Sequence, residues 1–273
     1  MIPETLEPYM EESSIVLFAV DGPVANVTLN RPDIHNAFNA DVVRALDTVF
    51  TEVANMPDVR AILLTGKGKS FSAGGDLAGM KQAGAMTDED NLKDAMALSD
   101  MLHTMNRSPK PIFTVAHGNV TGGGVGLVAC SDSVISVAGT RFALSEVRLG
   151  LEPSTISPYV VQAMGLRWAR RLFTTGEFFS AERANAIGLV HDIVDDYDAA
   201  IAEAHKQISI LIKNGPEAVA HAKDLAFEVH TSDITPDLRA RTARRIADRR
   251  ASAEALEGIT AFLEKRKPNW IKD

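Results

Sequence analysis

With 273 residues, the chain has room for one to two domains of about 150 residues and for a sizeable core. Hydrophobic residues make up 45% and charged residues 23%, a balance that excludes disordered, fibrous and low-complexity classes. A net charge of −8 repels phosphate polymers, so nucleic acid is not expected as a partner.

The opening MIPETLEPYMEESS is acidic and has neither a signal-peptide core nor an Arg-rich transit pattern. Apolar runs such as IVLFAV are strand-sized, far below the roughly 20 residues that span a bilayer. The lone Cys130 allows no internal disulfide, and a reducing cytoplasm is the expected location.

Two β-rich runs, Ile15 to Val20 and Val24 to Leu29, flank Asp21-Gly22 and predict a hairpin. Val42, Val43, Leu46, Val49, Phe50 and Val53 recur at helical spacing, and Val59 to Thr65 returns to a strand. A Gly-rich loop from Lys67 to Asp76 precedes a helix near Asn91 to Met105; Pro109 and Pro111 break it before a strand from Ile112 to Ala116. Gly122 to Gly124 lead into a short apolar helix ending near Cys130, and Ser133 to Val137 reads as a strand. This rhythm predicts a layered α/β region up to about residue 198. From Ala199 onward three long helical patterns follow. The last, Pro236 to Lys265, exceeds ordinary helix length and is expected to break or to pack against a partner.

Two loops could carry chemistry, FSAGGDL at Phe71 to Leu77 and HGNVTGGGVGL at His117 to Leu127. Glycine permits tight paths and close ligand approach, and free N–H groups at a helix start favour negative charge. Plain tight turns are the other reading. Neither loop has the dinucleotide spacing G-x-G-x-x-G, a P-loop would need glycine where Leu63 stands, and no G-x-S-x-G elbow occurs. Seven histidines are scattered without metal-ligand spacing, so no metal is expected; His117, beside the second loop, reads as a packing or hydrogen-bonding residue. The basic run Arg239 to Arg250 reads as an exposed or inter-subunit helix face.

Several separated motifs together resemble the crotonase, or enoyl-CoA hydratase/isomerase, superfamily: LNRPDIHNAFN from Leu29, FSAGGDLAGM from Phe71, the GGG segment, FALSEVRLGL from Phe142 and FLEKRKPNW from Phe262. The resemblance covers nearly the whole chain. It implies a spiral of ββα units over residues 1–198 that binds acyl-CoA, with a helical oligomerisation region over 199–273. It implies a CoA thioester whose carbonyl oxygen is held by the Gly75 and Gly123 amides, with Ala37, Phe38, Ala73, Asp76 and Leu77 along the CoA path. Lys265 and Lys267 match the C-terminal motif that approaches CoA phosphates, and assembly as a homotrimer or hexamer follows from the same likeness. No cofactor is implied beyond the coenzyme A of the substrate.

Many hydratases of this superfamily use two glutamates. The second corresponds to Glu146, which without the resemblance reads first as a salt-bridged structural acid. At the first position this chain has Gly126. One base is the arrangement in Δ3,Δ2-enoyl-CoA isomerases, whereas SEVRLGLEPSTISPYVV looks more like hydratases of branched, glutaconyl-type acyl-CoAs. For hydration, Glu152, Asp132 or a water oriented by Glu146 could replace the missing acid, with Glu152 preferred. Hydration of a 2-enoyl-CoA is the leading expectation, isomerisation the alternative, and a silent acyl-CoA-binding protein the reading from another class.

Overall fold

A computed structural model of the chain describes residues 2–271. The hairpin forms as expected: β1 (Val16–Asp21) and β2 (Val24–Leu29) are antiparallel, closed by Gly22 at φ +52°. Asn39 starts α1 (Ala40–Ala54) by accepting from the Val42 N–H at 3.0 Å, and the apolar stripe from Val42 to Val53 is buried.

β3 (Ala61–Gly66) is buried at all six positions, as a parallel strand covered on both faces should be. α2 (Leu77–Ala83) and α3 (Asp88–Arg107) follow, then β4 (Ile112–Ala116) and β6 (Ser133–Val137). With β9 (Asp192–Val194) these strands complete a six-stranded sheet in the order β1-β2-β3-β4-β6-β9, parallel apart from its first pair. A second sheet of three short strands, β5 (Asn119–Thr121), β7 (Arg141–Ala143) and β8 (Phe178–Ser180), runs in the order β5-β7-β8. Between the sheets and α1, one apolar cluster gathers Phe18, Leu46, Phe50, Leu64, Phe71, Leu102 and Phe142.

α4 (Gly123–Ala129) leaves the end of β5, and α5 (Ser157–Thr175) and α6 (Ala181–Ala186) flank β8. α7 (Tyr197–Leu211) packs Ala200, Ala204 and Ile208 against Leu63, Phe113, Val115 and Ile135 of the main sheet. α8 (Pro216–His230) follows, and the long pattern from Pro236 breaks into α9 (Pro236–Arg250) and α10 (Ala253–Leu263). The region after residue 199 thus holds four helices rather than three, because Ser252 opens α10 by accepting from the Ala255 N–H at 3.2 Å. Ion pairs tie this region together: Arg245 and Arg241 both reach Glu228, at 2.6 and 3.0 Å. Glu254 takes the Glu217 and Ala218 N–H groups at the start of α8. Among the described residues no helix is long and apolar enough to cross a membrane, and no cluster of His, Cys, Asp or Glu is placed to hold a metal.

Candidate active site

The two glycine loops leave neighbouring strands at one end of the main sheet and are stitched to each other. The Phe71 N–H donates to the His117 carbonyl at 2.9 Å, the Ser72 N–H to Asn119 at 3.3 Å, and the Thr121 N–H to Ser72 at 2.9 Å. Thr121 Oγ1 adds a bond to the Ala73 carbonyl at 2.7 Å. The main chains then touch. A Cβ at Gly74 would stand 2.6 Å from the Thr121 oxygen, and one at Gly122 would stand 3.7 Å from Gly74 Cα. Both glycines have positive φ, +80° and +50°, which side-chain-bearing residues rarely adopt.

Phe38 fixes the direction of Gly75. Its N–H donates to the Gly74 carbonyl and its carbonyl accepts from the Asp76 N–H, each at 2.7 Å, so this parallel bridge leaves the Gly75 N–H outside the exchange. In the other loop the Gly122 N–H is bound to the Ala143 carbonyl at 3.0 Å. α4 begins at Gly123 with no side-chain cap, which leaves the first helical N–H groups without an intrahelical acceptor. Gly75 and Gly123 are both partly exposed. Neither has space for a side chain as packed: a Cβ at Gly123 would be 2.9 Å from the Phe38 ring, and one at Gly75 would be 2.0 Å from the Met80 methyl.

Glu146 opens a 3-10 turn, Glu146–Leu149, directly after β7 and Ser145. Its Oε1 would lie 3.1 Å from a Cβ at Gly122, so the carboxyl group sits against the turn that opens α4. Oε2 is buried and has no hydrogen-bond partner among the described residues. Desolvation therefore pushes the Glu146 carboxyl above the usual carboxylate range; a bond from its own backbone N–H opposes this more weakly, and no charged neighbour contributes.

Gly126 has no room for a side chain as packed. It is buried, and a Cβ there would be 2.4 Å from Ile156 Cγ2, 3.0 Å from Ile156 Cβ and 3.7 Å from Leu102 Cδ2. Hydrocarbon fills the space beside this position. Glu152 is exposed on the loop before α5, where its Oε1 accepts from Ser154 Oγ at 2.8 Å. Asp132 is committed at the start of β4, the end away from the glycine loops, accepting from the Ile112 N–H at 2.8 Å and from Lys223 at 2.7 Å. His117 bonds the Gly68 carbonyl through Nε2 at 3.0 Å and meets the Tyr197 ring edge-on; burial lowers its pKa and favours the neutral ring.

The remaining expected residues divide between the loops and the C-terminal segment. Ala37 and Phe38 are buried beside the first loop, the Ala73 N–H donates to the His35 carbonyl at 2.8 Å, and Asp76 caps α2 while pairing with Arg31 at 3.4 Å. Leu77 is 61% exposed at the start of α2. Lys265 and Lys267 stand exposed on the segment after α10. Sequence reasoning missed Met80 and Ile156, whose roles exist only through packing. It also passed over Gly74 and Gly122, although their place next to Gly75 and Gly123 was a signal.

A protein-family model described as enoyl-CoA hydratase/isomerase matches residues 20–273. The chain belongs to the enoyl-CoA hydratase/isomerase family. Among solved structures, an enoyl-CoA hydratase from Shewanella pealeana superposes with a TM-score of 0.93 at 38% identity, over 98% of this chain and 100% of the other. A short-chain-enoyl-CoA hydratase of Clostridium acetobutylicum is 30% identical over 97% of this chain and 100% of its own length. A trans-2-decenoyl acyl-carrier-protein isomerase of Streptococcus mutans is 28% identical over 93% and 97%. The two sheets and their helices are the crotonase spiral fold of this family, and its hydratases and isomerases are both represented among the relatives.

Proposed function

We propose that this family member hydrates a 2-enoyl-CoA thioester, with the Gly75 and Gly123 N–H groups as oxyanion hole and Glu146 as proton carrier. The observation that carries this reading is the Glu146 carboxyl group, desolvated and with an unpartnered oxygen, set against the turn that opens α4. As water oxygen bonds to C3 of the substrate, the carboxylate takes its proton and the C2–C3 electrons move onto the thioester oxygen. Preorganised N–H donors stabilise that enolate, each worth about 3–4 kcal/mol by analogy with other oxyanion holes. The carboxylic acid then returns the proton to C2 and the carbonyl re-forms, so one water is added and Glu146 ends as it began.

The acyl group we favour is branched and glutaconyl-type, a reading supported by SEVRLGLEPSTISPYVV at Ser145 to Val161. Isomerisation of a 3-enoyl-CoA is the second reading, favoured by the hydrocarbon at Gly126, which leaves one carboxyl group to move one proton. Assembly as a homotrimer or hexamer through the C-terminal helices is supported by Ile234, Phe262 and Leu263, which are 85%, 83% and 73% exposed. Lys265 and Lys267 would then meet CoA phosphates.

A turnover screen of straight-chain 2-enoyl, glutaconyl-type and 3-enoyl thioesters, followed by mass, tests the proposal. Addition of one water to a 2-enoyl substrate, lost about 10²–10⁴-fold in Glu146→Gln, is the expected result. Conversion of a 3-enoyl substrate without mass change establishes the isomerase instead. Tight acyl-CoA binding without turnover of any substrate overturns both.

A further inference from the structure

An arginine–aromatic cleft lies on the far side of the small sheet from the glycine loops. β5 feeds the second loop, β8 is the opposite edge, and β7 separates them by two strand spacings, about 10 Å. Where α5, β8 and α6 meet, a cleft of about 250 Å³ is lined by Trp168, Arg171, Glu177, Phe178, Ser180 and Arg183. Two guanidinium groups attend each aromatic ring. Arg171 and Arg183 lie 5.7 and 5.0 Å from the Trp168 ring, and Arg141 and Arg148 lie 4.3 and 5.3 Å from the Phe178 ring.

Charge pairing there is incomplete in a way the composition does not explain. The chain carries 36 acidic side chains against 28 Lys and Arg, so carboxylates are in surplus. Yet of these four arginines only Arg171 has a carboxylate partner among the described residues, through Nε to Glu177 at 2.7 Å. Arg141, Arg148 and Arg183 are exposed, lie over ring faces and have no carboxylate partner among the described residues. A guanidinium attracted to a ring face spends no N–H group on a carboxylate, and its planar N–H edge can grip two oxygens of a phosphate at once. A half-open cleft of this size matches a small anion.

We propose that this cleft binds a small phosphoanion of the diphosphate class, gripped by the N–H edge of Arg183 and by the Nη groups of Arg171, whose Nε stays with Glu177, with Arg141 and Arg148 supplying further positive potential at the Phe178 wall. The ligand is either a free inorganic diphosphate or the diphosphate of a nucleotide whose base lies on Trp168 or Phe178. The cleft is separate from the Gly75 and Gly123 loops, although Arg148 belongs to the turn that Glu146 opens.

Titration of the full-length protein with inorganic pyrophosphate and, separately, with ADP tests it by calorimetry and by tryptophan fluorescence. The chain has two tryptophans, so Trp270→Phe assigns the signal to Trp168. Saturable binding that weakens as salt is raised is expected. Equal affinities identify recognition of the phosphates alone, and tighter ADP binding adds base stacking. Arg183→Gln should weaken binding about tenfold or more, Arg183→Lys less, and Arg148→Gln severalfold, with unchanged circular dichroism. No saturable binding of either probe at millimolar concentration overturns the proposal, as does an Arg183→Gln protein that binds like wild type.

Discussion

Adding one methyl group at Gly126 tests whether hydrocarbon closes this position. A Cβ there falls 2.4 Å from Ile156 Cγ2, more than 1 Å inside the ~3.5–4.0 Å optimum for two carbons. Ile156 is 2% exposed and Leu102 fully buried, so neither has open space to retreat into. Overpacking of this kind costs about 1–3 kcal/mol, and Gly126→Ala should lose that much in urea unfolding even though alanine favours helices. Ile156→Ala removes Cγ2 and leaves a cavity, at about 2–5 kcal/mol. The double variant should be less destabilised than the sum of the two by about 1 kcal/mol or more, because the second change removes the atom the first collides with. Relief stays partial, since Ile156 Cβ is itself 3.0 Å from the new methyl. A Gly126→Ala protein within about 0.5 kcal/mol of wild type, or strict additivity in the cycle, would refute the claim that hydrocarbon closes this position.

Gly123→Ala drives a methyl into the Phe38 ring and tilts the proposed donor, so kcat should fall about 10²-fold or more in a turnover assay while the unfolding midpoint moves little by comparison. For Glu146, the raised pKa places the rising limb of the kcat/KM profile above the ordinary carboxylate range, and that limb should vanish in Glu146→Gln. The same shift has a stability sign: a folded pKa above the unfolded one means stability present at low pH and lost as pH rises through the folded value. Glu146→Gln should therefore melt above wild type at neutral pH, with the gap closing below the ordinary carboxylate range. Glu257 behaves oppositely. Arg266 and then the Asn269 N–H hold its pKa down to about 2, so its contribution is present above about 4.5 and lost as pH falls toward 2. Amide exchange near Trp270 should speed up over that window, and Glu257→Gln should abolish the pH dependence.

Local signals made much of the fold legible. Asp21-Gly22 specifies a turn whatever surrounds it, and the Val42-to-Val53 stripe has one face to bury. β5, β7 and β8 escaped because three residues carry no measurable alternation; they exist as strands through partners 22 to 39 positions away, such as Val120 with Phe142 and Arg141 with Ser180. The break between α9 and α10 rested on a cap at Ser252 hidden inside a continuous helical pattern. At the site, the family motifs pointed to Gly75, Gly123 and Glu146, but not to what surrounds them. That Ile156 occupies the space beside Gly126 depends on α5 crossing α4, a contact between residues thirty apart that no local spacing encodes.

The meeting of Gly74 with Gly122, bare backbone upon bare backbone, has a consequence for how such an enzyme can diversify. Where the two glycines touch there is no side chain to exchange, so that contact cannot be reshaped without moving main chain. Variation is left to the side chains packed around it, Met80 against Gly75 and Phe38 against Gly123, which can change while the joint itself stays.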